Sequence, residues 1–174
     1  MCIRDSVDDG LLRGGLETSP FDAEGVPSQR TPLIENGVLR SYLYDSYTAN
    51  KEGKVSTGNA SRGDYRQPPL ISPTNLIITN GGEADVIKDV RRGIYVRATG
   101  DHPNMSTGEF SGMVYAGYAI EDGECKHALQ QTNIGINVLD LLKQIDGLSR
   151  DVKTYFGLTT PTIRVTDVSV ASSG

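Results

Sequence analysis

The sequence predicts an α+β fold, predominantly antiparallel β-sheet with hairpins and about three short helices. Three observations carry that reading. Asn36-Gly37 separates two short apolar runs, and both residues tolerate the positive φ of a two-residue hairpin turn. Asp122-Gly123 divides the span 108–129 in the same manner. No alternation of strands with long helices marks a parallel sheet.

Each element follows from local chemistry. Residues 7–30 are rich in Gly, Asp and Pro and read as irregular, with at most one short strand. Thr31–Ile34 and Val38–Tyr44 form the first hairpin. Asp45 is placed to N-cap a helix over Ser46–Glu52, which Gly53 ends in the left-handed conformation. Residues 54–73, containing STGNASRG and QPPLISP, form a long loop, and loops of that length tend to be functional or wrapped against another chain. Asn75–Thr79 is a buried strand with Asn80-Gly81-Gly82 as its turn. Val86 and Val90, four apart behind an acidic first turn, predict a helix over Glu83–Arg91. A strand follows over Gly93–Thr99, then the 108–129 hairpin. Ile136, Val138, Leu141, Leu142 and Ile145 predict a helix buried on one face. Thr162–Val170 is the last strand, with a bulge where its alternation slips.

Composition narrows the function classes. The 174 residues are 37% hydrophobic and 22% charged, without Trp, so one domain over 7–174 is expected with a core of Val, Ile and Leu. The net charge is −5 and no Lys/Arg run exists, which argues against nucleic acid and against an anionic membrane surface as partners. No stretch has the length of a membrane span and no signal-peptide core is present, so cytoplasmic residence is expected. Cys2 and Cys125 do not make a disulfide framework. Residues 1–6, MCIRDS, resemble the translated remnant of a sequencing adapter. The expectation is therefore that they are non-native and that the chain enters its domain partway, truncated at the N-terminus.

Hydrolytic chemistry finds few donors. A catalytic zinc needs about three protein ligands. His102 and His127 each lack a second His one helical turn away, and no HExxH spacing occurs. Cys125 and His127 share a strand face and His102 could be a third donor, but Cys125 reads better as a small hydrophobe. Ser61 and Ser111 lie in no GxSxG elbow, and neither a Walker loop nor a GxGxxG fingerprint is present. Asp22 and Glu24 could pair as acid and base, but Asp22 fits better as the acceptor of backbone N–H groups in the turn before Gly25. No catalytic residue and no metal ligand is assigned. For binding, Ser56, Thr57, Gly58 and Asn59, and Thr107, Gly108, Phe110 and Ser111, offer small side chains, hydroxyls and backbone N–H groups suited to an extended peptide. The alternative is that their glycines only permit tight turns.

The blocks SPFDAEGVP, LIENGVLRSYLYD, STGNASR, RRGIYV, STGEFSG, YAIEDGE, TNIGINVLDLLKQI and TPTIRVTDVSV occur in an order that resembles the C-terminal domain of the TldD/PmbA family. That resemblance implies a TldD/PmbA C-terminal domain-like fold and a zinc metallopeptidase complex of catalytic and non-catalytic subunits acting on unfolded or extended peptide. It places zinc in the catalytic subunit, on an HExxxH helix upstream of residue 1 and a Cys shortly before the final strand. The matching stretch here, Ser149–Pro161, has no cysteine. The non-catalytic subunit is therefore the better match, with a homologous subunit and an extended peptide as partners and no cofactor in this chain. A fragment of the catalytic subunit is the second reading, and a non-enzymatic β-rich binding or assembly module the third.

Overall fold

A computed structural model of the chain describes residues 5–79, 82 and 85–172. Two compact units emerge, one of Ile3–Asn80 with Asp151–Pro161, the other of Gly81–Arg150 with Thr162–Gly174.

The first unit begins with β1 (Ser6–Asp9), β2 (Arg30–Glu35) and β3 (Val38–Leu39). Asn36 and Gly37 have φ of 51° and 76°, the paired left-handed conformations of a type I′ turn. The expected strand Val38–Tyr44 is cut short at Leu39. Thr57 takes the backbone of Tyr44, its Oγ1 accepting from Tyr44 N and its N donating to Tyr44 O, so no strand ladder remains open there. Helix α1 (Ser46–Glu52) has the expected bounds and caps: Asp45 Oδ1 accepts from Thr48 N at 2.7 Å, and Gly53 is left-handed at φ 64°. Within 54–73, β4 (Ala60–Ser61) and β5 (Leu70–Ile71) form a two-residue ladder, and β6 (Leu76–Ile78) follows, inside the expected 75–79 strand.

In the second unit, the helix expected over Glu83–Arg91 is corrected. Glu83 and Ala84 lie outside the described residues, as do Asn80 and Gly81 of the preceding turn. From Asp85 onward the chain makes turns, with Val90 N bonded to Ile87 O. The Val90 and Arg91 carbonyls accept from Gly123 and Asp122 instead of serving a helix, so the segment closes over the Asp122-Gly123 turn. Strands β7 (Arg92–Thr99), β8 (Glu109–Glu121), β9 (Glu124–Ala128) and β10 (Thr132–Asn137) follow. Tyr118 faces Ala128 and Met113 faces Asn133 in one register, so β9 and β10 run one after the other along a single edge of β8.

The expected buried helix over 136–145 is corrected as well. Ile136 ends β10, α2 spans only Val138–Lys143 with no buried residue, and Ile145 opens β11 (Ile145–Tyr155). Asn137 sets the start by accepting from Leu139 N, and Gln144 is the C-cap, its carbonyl accepting from Thr166 N. The last strand divides into β12 (Leu158–Val165) and β13 (Ser169–Ser172) around left-handed Asp167, so the expected bulge is a break. The second unit's sheet has the order β13-β10-β8-β7. In the first unit, the distal parts of β11 and β12 complete the order β11-β12-β6-β1-β2-β3, with Leu158 parallel to Leu76. The architecture is mostly antiparallel sheet with two short helices among the described residues, one fewer than expected.

The interior is as polar as it is apolar. Val7, Tyr44, Ala49 and Ala60 are buried in the first unit; Val86, Val114, Ile120, Ile145 and Leu148 in the second. Asp8 and Asn59 are just as enclosed, and a buried polar group must find partners.

Candidate functional site

Asp8, on β1, is 1% exposed and organises the first unit. Its Oδ1 accepts from Thr74 N at 2.7 Å, and its Oδ2 accepts from Thr74 Oγ1 at 2.9 Å and Asn59 Nδ2 at 2.7 Å. Asn59, 2% exposed, also donates Nδ2 to Ser72 O at 3.1 Å and accepts Ser72 N on its own backbone carbonyl. Its Oδ1 is buried and has no partner. An unmet buried carbonyl of this kind costs about 1–3 kcal/mol.

Asp22 does the equivalent work on the neighbouring turn. Its Oδ1 accepts from Glu24 N and Val26 N, both at 2.9 Å, and its Oδ2 from Ala60 N at 3.0 Å. The Asp22 side chain is therefore a backbone acceptor in the turn before Gly25, and Glu24 turns elsewhere to accept from Ser46 N at the start of α1. They do not act as a pair. Between these two networks lies a depression of about 220 Å3, lined among others by Glu17, Asp22, Asn59, Ser61, Arg62 and Thr74.

The first predicted binding segment forms part of this wall. Ser56 Oγ and Thr57 Oγ1 are within hydrogen-bond distance of Tyr44 O, so both hydroxyls serve the fold. The Tyr44 hydroxyl itself donates to Glu52 Oε2 at 2.8 Å, which raises its pKa above the usual tyrosine value. Gly58 is buried at φ 71°, where an added Cβ would stand 2.7 Å from Pro27 O. Of the four residues, Gly58 and Asn59 line the depression and Ser56 and Thr57 shape it from behind.

The second segment sits on the second unit's sheet. Asn104 Oδ1 accepts from Ser106 N and Thr107 N, and Thr107 Oγ1 accepts from Glu109 N. Gly108, at φ 76°, donates its N–H to Asn104 O and accepts Val138 N on its carbonyl. Phe110 and Ser111 lie in β8 opposite Ile136 and Gly135 of β10. Thr107 and Ser111 are exposed, and Phe110 is half-buried. Sequence reasoning missed Asp8, Ser72 and Thr74. Nothing near Asp8 signals its role, because its partners lie 51 and 66 residues away.

Comparison with known proteins bears on the whole assembly of parts. A family described as PmbA/TldA metallopeptidase C-terminal domain matches residues 6–172. The chain belongs to this PmbA/TldD family. Among its relatives, the uncharacterized protein MJ0231 of Methanocaldococcus jannaschii is 38% identical over 90% of this chain and 37% of its own length. A metalloprotease TldD homolog of Buchnera aphidicola is 31% identical over 87% of this chain and 32% of its own. The crystal structure of TldE from Thermococcus kodakarensis is similar with a TM-score of 0.86 and 29% identity, covering 98% of this chain and 40% of that one. The chain thus spans two-fifths or less of each of these relatives.

PmbA/TldD membership raises the question of zinc. The described residues contain no group of three or more His, Cys, Asp or Glu side chains gathered as metal ligands. Cys125 and His127 are exposed on β9, and His102 is exposed in the segment after β7. With about three donors required, the described side chains do not fit a zinc centre. No helix among the described residues is long and apolar enough to cross a membrane.

Proposed function

We propose that this chain acts as part of the non-catalytic subunit of a TldD/PmbA-type metallopeptidase complex, in cytoplasmic proteolysis or peptide maturation. Its work is to hold extended peptide and to contact a homologous subunit that supplies the zinc. The observation that carries the reading is the combination of metallopeptidase family membership with no gathered set of metal-ligating side chains among the described residues. The cysteine-free stretch Ser149–Pro161 supports it. For peptide we propose the depression walled by Gly58 and Asn59, shaped by Ser56 and Thr57, and the surface of Thr107, Gly108, Phe110 and Ser111. Main-chain pairing along a strand is the recognition mode such surfaces suit.

The experiment is direct. The purified chain is expected to hold zinc far below one equivalent and to leave an unfolded polypeptide uncut. Stoichiometric zinc with chelator-sensitive hydrolysis would overturn the proposal. The second reading, a piece of the catalytic subunit, is favoured by the naming of the Buchnera relative as a metalloprotease. An HExxxH helix recovered in upstream coding sequence would decide for it.

A further inference from the structure

We infer that the depression walled by Asn59 is a seat for a primary ammonium group carried by a peptide. The inference rests on the peptide-holding proposal for the identity of the ligand, and on the geometry of Asn59 for the rest. Both acceptors facing the Asn59 side chain, Asp8 Oδ2 and the Ser72 carbonyl, can only accept, so the amide nitrogen must be turned to them. That fixes the carbonyl end. Asn59 Oδ1 is held in one orientation, buried and unmatched, on a residue lining an open depression. Buried acceptors in folded proteins are rarely left this way, so a donor from outside is the chemistry called for.

Charge selects the kind of donor. Glu17 and Asp22 line the depression against one cation, Arg62, and Asp8 lies buried behind Asn59. A ligand carboxylate would face this acidic surplus. A neutral amide would satisfy Asn59 and leave the surplus unused. An ammonium satisfies both, because it brings several donors and a positive charge. The size also fits. At about 220 Å3 the space is below the roughly 300–1,000 Å3 of a drug-sized pocket and admits one residue's head group. Ser19, Ser61 and Thr74 surround it with small side chains.

The test uses the full 174-residue chain, labelled with 15N, titrated with tetra-alanine, with N-acetyl-tetra-alanine amide, and with an N-acetylated, amidated alanine peptide holding one lysine. Tetra-alanine, the lysine peptide or both are expected to shift the Asn59 side-chain amide and the backbone of 60–62 and 72–74. The arm that binds tells whether the terminal or the lysyl ammonium is taken. The fully blocked peptide is expected to bind about tenfold more weakly or less, the effect of losing one charge-assisted contact. Ser61→Phe, which fills the depression without touching Asp8 or Asn59, should abolish the shifts, and Glu17→Gln should weaken binding. Equal affinity for free and blocked peptides, or shifts that survive Ser61→Phe, would overturn the inference. Shifts confined to Thr107–Ser111 would sink the ammonium seat and leave the peptide-holding proposal standing. An absence of shifts anywhere would sink both.

Discussion

The tripeptide Ser-Thr-Gly occurs at 56–58 and again at 106–108, with its glycine left-handed at φ 71° and φ 76°. The two copies share local conformation and little else. At 56–58 the hydroxyls bind the Tyr44 carbonyl, and Gly58 presses against the backbone of Pro27. At 106–108 the loop bonds to itself through Asn104, and an added Cβ on Gly108 would meet only the Asn137 side chain, at 3.1 Å. The lesson is that short motifs specify backbone shape, while burial is decided by what the rest of the chain brings against them. The first copy is a wall and the second is a surface.

Substitutions can sharpen or break that contrast. The largest effect is expected behind the wall. Asp8→Ala strands the Thr74 and Asn59 donors in a buried setting and should cost about 3–5 kcal/mol, read as a lowered urea midpoint with faster exchange of the Thr74 amide. Next comes Gly58→Ala, where left-handed strain adds to a backbone collision for a cost of about 2–4 kcal/mol. Gly108→Ala should cost only about 1–2 kcal/mol, because the Asn137 amide is free to swing aside. Equal losses at the two glycines would show that the contrast drawn here is wrong.

A purely local device gives the next step down. Asp45→Ala removes the α1 cap and should cost about 1 kcal/mol. The Thr48 hydroxyl and amide hold the Asp45 carboxyl below the usual aspartate range. A depressed folded value means that this stabilisation is complete above the unfolded pKa, near 4, and fades as pH falls through the lowered value. Acid titration of the midpoint should therefore flatten in Asp45→Ala relative to the parent. The smallest effect is assigned to Lys126→Ala, since the Lys126–Glu124 pair on β9 is exposed and screened. Its midpoint should not move.

These grades of effect also explain what could be read in advance. The Asn36-Gly37 and Asp122-Gly123 turns and the Asp45 and Gly53 caps depend on residues within a few positions, and all four were legible. The Val86–Val90 spacing was misleading, since the carbonyls a helix would use are claimed by a turn some thirty residues on. The stripe from Ile136 to Ile145 drew its outer members from two strands, and Asn137 and Gln144 punctuate it in a way that periodicity overlooks. β11 was missed because its exposed distal half, Asp151–Tyr155, has no clean alternation of apolar and polar residues. At the site, Asp22 was legible from the glycine and proline that follow it. Asp8 was not, because its function exists only once distant segments meet it.

The parallel contact of Leu76 with Leu158 has a consequence for biosynthesis. On the ribosome, β1, β2, β3 and β6 emerge early, but the neighbour that covers β6 is not translated until all of Gly81–Arg150 has been made. At ordinary elongation speeds that delay is on the order of ten seconds. For that interval a nascent edge of Leu76, Ile77 and Ile78 stands open to neighbouring polysomes, which makes chaperone occupancy during translation, rather than final thermodynamic stability, the quantity that governs yield of this protein in the cell.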